Sequence, residues 1–548
     1  MGGTHDSIAR AQELGAQPGS YVILKAQLAA AVAGDGIAES RKAFSGDPAR
    51  HVDERIVQAI WHEQLLHGDR LATCSGKPVR VIDPGKWNGE AGPDFRTAEL
   101  EIGGRRLRGD VEIHVLSSDW DRHRHGSDFE YNNVVLHAFL RRADREVHDV
   151  LHNGARIERL ELEPLVNPDL ESVSRSLAAE DLPFAGRPGA GRCQAAVGCL
   201  DTAFLRRFFD ESGRERMEAK IARFAAQRAG ETLDQVLYQA LMTALGHKGS
   251  KTLFFLLAKR TPVEELKDYL AGTPQEDVPA AIEAVLLNVA NLLIADSGSA
   301  APMPDGPPEV CDSTPLDDET QEYVNRLNRW WSELSGYYQD RLIPPTRRWF
   351  SGVRPASFPQ RRLAGVARML AAHDFRRGFV AGLAGQVRQA MVRVPKSSRD
   401  FRREINRLSL LFSPEGDSYW RRRFTLGGKK SGRQTELIGG DRASSLLFNA
   451  LIPVLILHAR DRRDGPLEDF LWRLYGNFPA LPENSITRFM RQRLFSATAD
   501  SAIDYRLEKS NQALFQVFHD CCNNNALTCD DCTLRSHAGE ATGKGGAA

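Results

Sequence analysis

The segment at 109–115, GDVEIHV, constrains the fold more than any other stretch of the chain. Side chains alternate across a strand, so Asp110, Glu112 and His114 share one face and Val111, Ile113 and Val115 the other. Three ionisable groups in an otherwise core-like strand are costly unless they line a site. This strand therefore marks both a sheet and a place for chemistry.

The flanking sequence supplies the rest of a compact α/β core. Residues 53–67, DERIVQAIWHEQLLH, read as an amphipathic helix with Asp53 as its cap. Strands are expected at 79–82, 97–102, 109–115 and 134–139, with Gly103-Gly104 as the hairpin turn between the second and third. A short helical or irregular stretch fills 118–132, and 147–163 is read as a terminal hairpin through Asn153-Gly154. A Pro-, Gly- and Ala-rich boundary follows within 167–192. Beyond it, helical patterns are expected at 201–228, 231–259, 263–271, 277–295, 318–341, 360–392, 399–412, 441–459 and 465–475, broken at 301–315 and 427–432. The fold class is α+β: a mixed-sheet core over 51–166 after a lead-in at 1–50, then a mainly helical region over 193–510 and a cysteine-bearing tail over 511–548.

A chain of 548 residues is too long for one core. Its 42% hydrophobic and 26% charged residues are ordinary globular values. No apolar run approaches the roughly 20 residues of a membrane-spanning helix, and no export signal opens the chain, so a cytoplasmic protein without a membrane partner is expected. The formal net charge of zero hides a basic segment: residues 341–440 hold 22 Lys and Arg against 6 Asp and Glu. Within it Arg421, Arg422, Arg423, Lys429 and Lys430 lie among Trp, Tyr and Phe, a pattern that suits phosphates and stacked bases. Helices packed through buried aromatics explain the same pattern.

Residues 85–137 are dense in Asp, Glu and His. Hard cations take oxygen ligands and activate bound water, and Asp94 with Glu112 supplies such a carboxylate pair. Pro93-Asp94, followed by Glu112-Ile113-His114 on the next strand, resembles the PD-(D/E)XK nuclease superfamily over residues 53–140. That resemblance implies a restriction-endonuclease-like core, Mg2+ or Mn2+ on Asp94 and Glu112, assistance from Glu63 on the first helix, and His114 orienting or deprotonating water where the superfamily has Lys. Structural roles compete with it: Asp94 and Asp110 as turn caps, Glu112 paired with Arg106 or Arg108, and Trp120 with Tyr131 packed on the sheet. His123, His125, Asp128 and His137 offer a different centre, a zinc hydrolase.

The segments AGPDF at 91–95, GDVEIH at 109–114, SSDW at 117–120, VVLH at 134–137, RPASFP at 354–359 and PENSITR at 482–488, with the closing cysteines, are similar to an uncharacterised bacterial family of unknown function. In the tail, Cys529 and Cys532 stand at a metal-ligand spacing, with Cys521 or Cys522 as a third ligand and His519, the other adjacent Cys, or a distant Cys193 or Cys199 as the fourth. Zinc and an iron–sulfur cluster are both consistent with them, the latter by resemblance to the clasp of some PD-(D/E)XK nucleases. The functional expectation is a metal-dependent nuclease acting on DNA or RNA. Its alternatives are an inactive nuclease-fold module for nucleic-acid binding or assembly, and the zinc hydrolase.

Overall fold

The computed structural model describes residues 52, 54–88, 92–143, 149–167, 169–170, 197, 201–246, 250–293, 316–346, 349–350, 353–393, 397–415, 418–495 and 503–522. The lead-in, most of the 167–192 boundary, the Pro-rich 301–315 stretch, Cys193, Cys199, Cys529 and Cys532 lie outside the described residues. The chain is α+β and divides into two compact units. One comprises residues up to 212 with 484–503 and 513 onward; the other comprises 213–483 with 504–512.

In the first unit, helix α1 (Glu54–His62) buries Val57, Ile60 and Trp61, spaced to fall on one helical face. It ends short of the expected 67 because Gln64 turns left-handed (φ 46°) and the Leu65 N–H donates back to the Ile60 carbonyl at 3.0 Å. Leu65 and Leu66 are thereby released to pack on the sheet core.

The sheet contains β1 (Val79–Asp83), β2 (Lys86–Trp87), β3 (Phe95–Ile102), β4 (Arg105–Leu116), β5 (Val134–Arg141) and β6 (Glu158–Glu161). Its order is β1-β3-β4-β5-β6, with β2 paired to β3. The β1, β3 and β4 pairings are antiparallel, whereas β4-β5 and β5-β6 are parallel. Gly103 and Gly104, at φ 57° and 79°, supply the turn of the β3-β4 hairpin, a geometry β-carbon-bearing residues resist. Of the expected hairpin at 147–163, the described residues form a turn closed by the bridge Val150–Arg156, and residues 158–161 pair in parallel with β5.

One sheet face packs Val111, Ile113, Leu136, Ala138 and Leu140 against Val57, Ile60 and Trp61 of α1. A smaller apolar cluster of Trp120, Tyr131, Val134 and Leu151 draws on the 118–133 segment, which includes helix α2 (Asp119–Arg122). On the face away from the main core, Glu112 and His114 are almost wholly buried.

The second unit is helical around one large apolar core. The expected 231–259 helix is two, Leu233–Leu245 and Lys251–Arg260, and the 360–392 helix is two, Pro359–Ala372 and Phe379–Val392. The helix over Gly440–Asp461 is long and apolar enough by length and composition to cross a membrane, against the reading from sequence, and most of it is buried within this unit. Its Pro453 has no N–H for a carbonyl one turn back, and the ladder widens to a π-turn over Leu447–Leu451 just before it.

Candidate active site

The site is built where two strands break register. Arg96 and Thr97 of β3 oppose the single Asp110 of β4, and Thr97 is held at φ 58°, a strained conformation for a β-branched residue. The Asp110 carboxylate accepts the Thr97 N–H at 2.9 Å, so Asp110 spans the bulge between the two strands rather than capping a turn. On its other side β4 slips against β5 between Asp110 and Val111. Gly109 sits at this junction: a β-carbon there would meet Val135 Cγ1 at 2.4 Å and the Asn133 carbonyl at 2.6 Å.

Asp94 and Glu112 are joined at the base of the site. The Asp94 N–H donates to Glu112 Oε2 at 3.0 Å, the Ile113 N–H donates to Asp94 Oδ2 at 2.9 Å, and Gln58 Nε2 donates to Asp94 Oδ1 at 2.8 Å. Burial, then the neighbouring Glu112 charge, pushes the Asp94 carboxyl well above the usual range, although part of its surface stays open. Glu112, 4% exposed, is pushed well up mainly by burial. Arg106 instead pairs with Glu99.

The other Glu112 oxygen faces histidines. Oε1 lies 3.1 Å from His125 Nε2 and 3.5 Å from His114 Nε2. His114 Nε2 in turn lies 3.1 Å from His123 Nδ1 and 3.2 Å from His125 Nε2. Arg124, left-handed at φ 61°, bends the chain between the latter two histidines. His123 is exposed, so the cluster opens to solvent on its side, whereas His114 and His125 are buried. The Tyr131 ring packs 4.0 Å from that of His125, and Trp120 packs against His125 and His137. Burial, first among the causes, lowers the pKa of His114, His123 and His137, and takes His125 down to about 4.

Behind the cluster runs a hydrogen-bonded chain. His114 Nδ1 lies 2.9 Å from His137 Nε2, and His137 Nδ1 lies 2.5 Å from Asp149 Oδ2. Arg159 Nε stands 3.2 Å from the same Asp149 oxygen.

The structure thus brings together Asp94, Glu112, His114, His123, His125 and His137. Glu63, buried just past α1, contacts His62, and the α1 side chain that reaches Asp94 is Gln58. Asp128 caps the Glu130 N–H. Sequence reading passed over Gln58, Asp149 and Arg159. Gln58 looks like any polar position on an amphipathic helix, and Asp149 and Arg159 are joined to the site only through the fold. Of the tail cysteines, Cys521 and Cys522 lie in the turn Phe518–Cys522.

The basic residues fare unevenly. Arg423, expected on a nucleic-acid surface, is 3% exposed: its guanidinium pairs with Asp317 and Glu319 and donates to the Gly428 carbonyl. Burial, with both terminal guanidinium nitrogens taken up by these partners, removes it from any such surface. Arg422, Lys429 and Lys430 are exposed, Lys430 pairing with Glu319, and the half-buried Arg421 pairs with Glu436.

Fold and site together define an α+β protein whose mixed sheet carries a buried acid–histidine centre. The chain belongs to a family described as a protein of unknown function, DUF2851, whose family model matches residues 54–484. No curated protein and no solved structure matches it.

Proposed function

We propose that this protein is a metal-dependent nuclease, with Asp94 and Glu112 as the carboxylates of its reaction centre. The observation that carries this reading is the pairing of the two acids across β3 and β4, with the Asp94 N–H on one Glu112 oxygen and a buried histidine facing the other. Two adjoining buried carboxylates repel each other unless a cation or proton lies between them. The mixed sheet after a helix, with Asp94 at the mouth of one strand and Glu112 on the next, supports a nuclease-like arrangement.

A bound Mg2+ or Mn2+ would polarise the phosphodiester and lower the pKa of a ligated water. The water oxygen forms a new bond to phosphorus, the bond to the leaving sugar oxygen breaks, and the water proton passes to the departing group by way of a nearby base. His114, beside Glu112, is placed to orient that water. Exposed Arg422 and Lys429 would contribute phosphate contacts.

One observation favours a second reading, an inactive nucleic-acid-binding or assembly module: both Asp94 carboxylate oxygens already accept protein hydrogen bonds. Cleavage of labelled single- and double-stranded DNA and RNA with Mg2+ or Mn2+, comparing wild type with Asp94→Ala and Glu112→Ala, separates the two. Cleavage lost in both folded variants supports the nuclease; salt-sensitive binding with no cleavage by wild type supports the module.

A further inference from the structure

We infer that His114 Nε2, His123 Nδ1, His125 Nε2 and Glu112 Oε1 form a binding site for a borderline divalent transition metal of the zinc type, preset by the His137–Asp149 pair.

The first argument is geometric. In a tetrahedral zinc site with metal–ligand bonds of about 2.0–2.1 Å, neighbouring ligand atoms stand about 3.3 Å apart. Around His114 Nε2 the separations are 3.1 Å to His123, 3.2 Å to His125 and 3.5 Å to Glu112, and His125 lies 3.1 Å from Glu112. The three imidazole nitrogens all fall within 4.8 Å of one another. Nitrogen atoms aimed at nitrogen atoms at these distances suit a shared cation, and imidazole ligands favour zinc, copper, iron or nickel over magnesium.

The second argument concerns the proton on each ring. With an Asp149 oxygen as the acceptor, His137 carries its proton on Nδ1 and offers the Nε2 lone pair. His114 must then donate from Nδ1, which leaves the lone pair of Nε2 directed into the cluster. Metal-binding histidines are commonly held this way, the far ring nitrogen bonded to a group that fixes tautomer and orientation. Here two residues in series do so, with Arg159 beside the terminal carboxylate. His123, exposed at the rim, provides the entry side.

The site does not depend on the phosphodiester reading, and it makes His114 a ligand rather than a group that orients water. The test reads metal directly, without substrate. Full-length protein is stripped with chelator, then titrated with Co2+ and with Zn2+, and visible absorption and bound metal are measured for wild type, His123→Ala, His125→Ala, Asp149→Asn and Asp94→Ala. Expected, over and above any metal held by the tail cysteines, are one metal per chain and the visible bands of four-coordinate cobalt it brings, loss of that metal and those bands in the histidine variants, and affinity lowered about 10–100-fold in Asp149→Asn. Exposed His123 can be replaced without opening the core, so its variant decides the matter if His125→Ala misfolds. Failure of wild type to bind either metal, or binding unchanged in His123→Ala and His125→Ala, overturns the inference. Weak six-coordinate bands lost only in Asp94→Ala would also overturn it, while leaving the carboxylate-centred nuclease standing.

Discussion

The main-chain N–H of Asp94 donates to Glu112 while the Asp94 carboxylate receives the N–H of the next residue on β4, Ile113, so the two acids are locked across the β3-β4 pair. Replacing Asp94 with Ala leaves the Ile113 N–H and the Gln58 amide without this acceptor. A buried donor left unsatisfied costs about 1–3 kcal/mol. Asp94→Ala should therefore lower the thermal midpoint of the first unit as well as remove the proposed cleavage activity. Asp94→Asn, which keeps an acceptor oxygen, should recover much of the stability and none of the proposed cleavage, as calorimetry alongside cleavage assays would show.

Gly109 lies where β4 slips against β5, and a β-carbon would overlap Val135 and the Asn133 main chain. Gly109→Ala should destabilise by about 1–3 kcal/mol, the usual range for overpacking, and displace Asp110 from Thr97. Chemical denaturation of the variant measures the first effect. Full wild-type stability would show that the two strands separate without cost.

In the second unit, Glu283 accepts from the Tyr323 hydroxyl at 2.6 Å and the Trp420 indole at 2.7 Å, all three buried. A buried donor left without its acceptor costs about 1–3 kcal/mol. Glu283→Ala should therefore rank among the most destabilising single changes in this unit, with Glu283→Gln intermediate, and Trp420 fluorescence reports the loss.

His373 is held neutral mainly by burial, its pKa lowered from 6.5 although Nε2 contacts the Leu411 carbonyl. The unfolded chain then binds more protons below pH 6.5 than the folded one, so this stabilisation is complete above that pH and lost as pH falls through the folded value. His458 shifts in the same direction, with burial again the leading cause. Unfolding midpoints of the wild type should fall from pH 6.5 downward, with a shallower decline in His373→Gln.

Arg422 and Lys429 are exposed, whereas Arg423 is enclosed by its acidic partners. If the protein binds nucleic acid through this segment, Arg422→Ala and Lys429→Ala should each reduce the slope of log affinity against log salt by about 1, evenly across sequences. Arg423→Ala should lower stability first. An unchanged salt slope in the Arg422 and Lys429 variants places the binding surface elsewhere.

Much of the fold was legible in local pattern. The two-residue alternation of β4, the Gly103-Gly104 turn and the helical periodicity beyond residue 200 depend on neighbours in sequence, and each produced its element. Helix ends were less legible: α1 stops early because Gln64 turns left-handed, which nothing in 53–67 announces. The acids of the site could be read because they share a strand or follow a Pro-Asp signal.

What only the tertiary structure decided is which polar groups meet. β5 lies parallel to β4 and sets His137 beside Glu112, and the turn at Arg124 swings two histidines onto His114. Asp149 and Arg159 reach the same chain of contacts from further along the sequence. The same long-range pairing hides Arg423, whose charge in sequence is indistinguishable from that of Arg422. Spacing along a chain determines faces and turns, because these follow from backbone geometry over a few residues. Burial, hydrogen-bond partners and the meeting of charges arise between segments far apart in sequence, and so exist only once the sheet and its covering loops have closed.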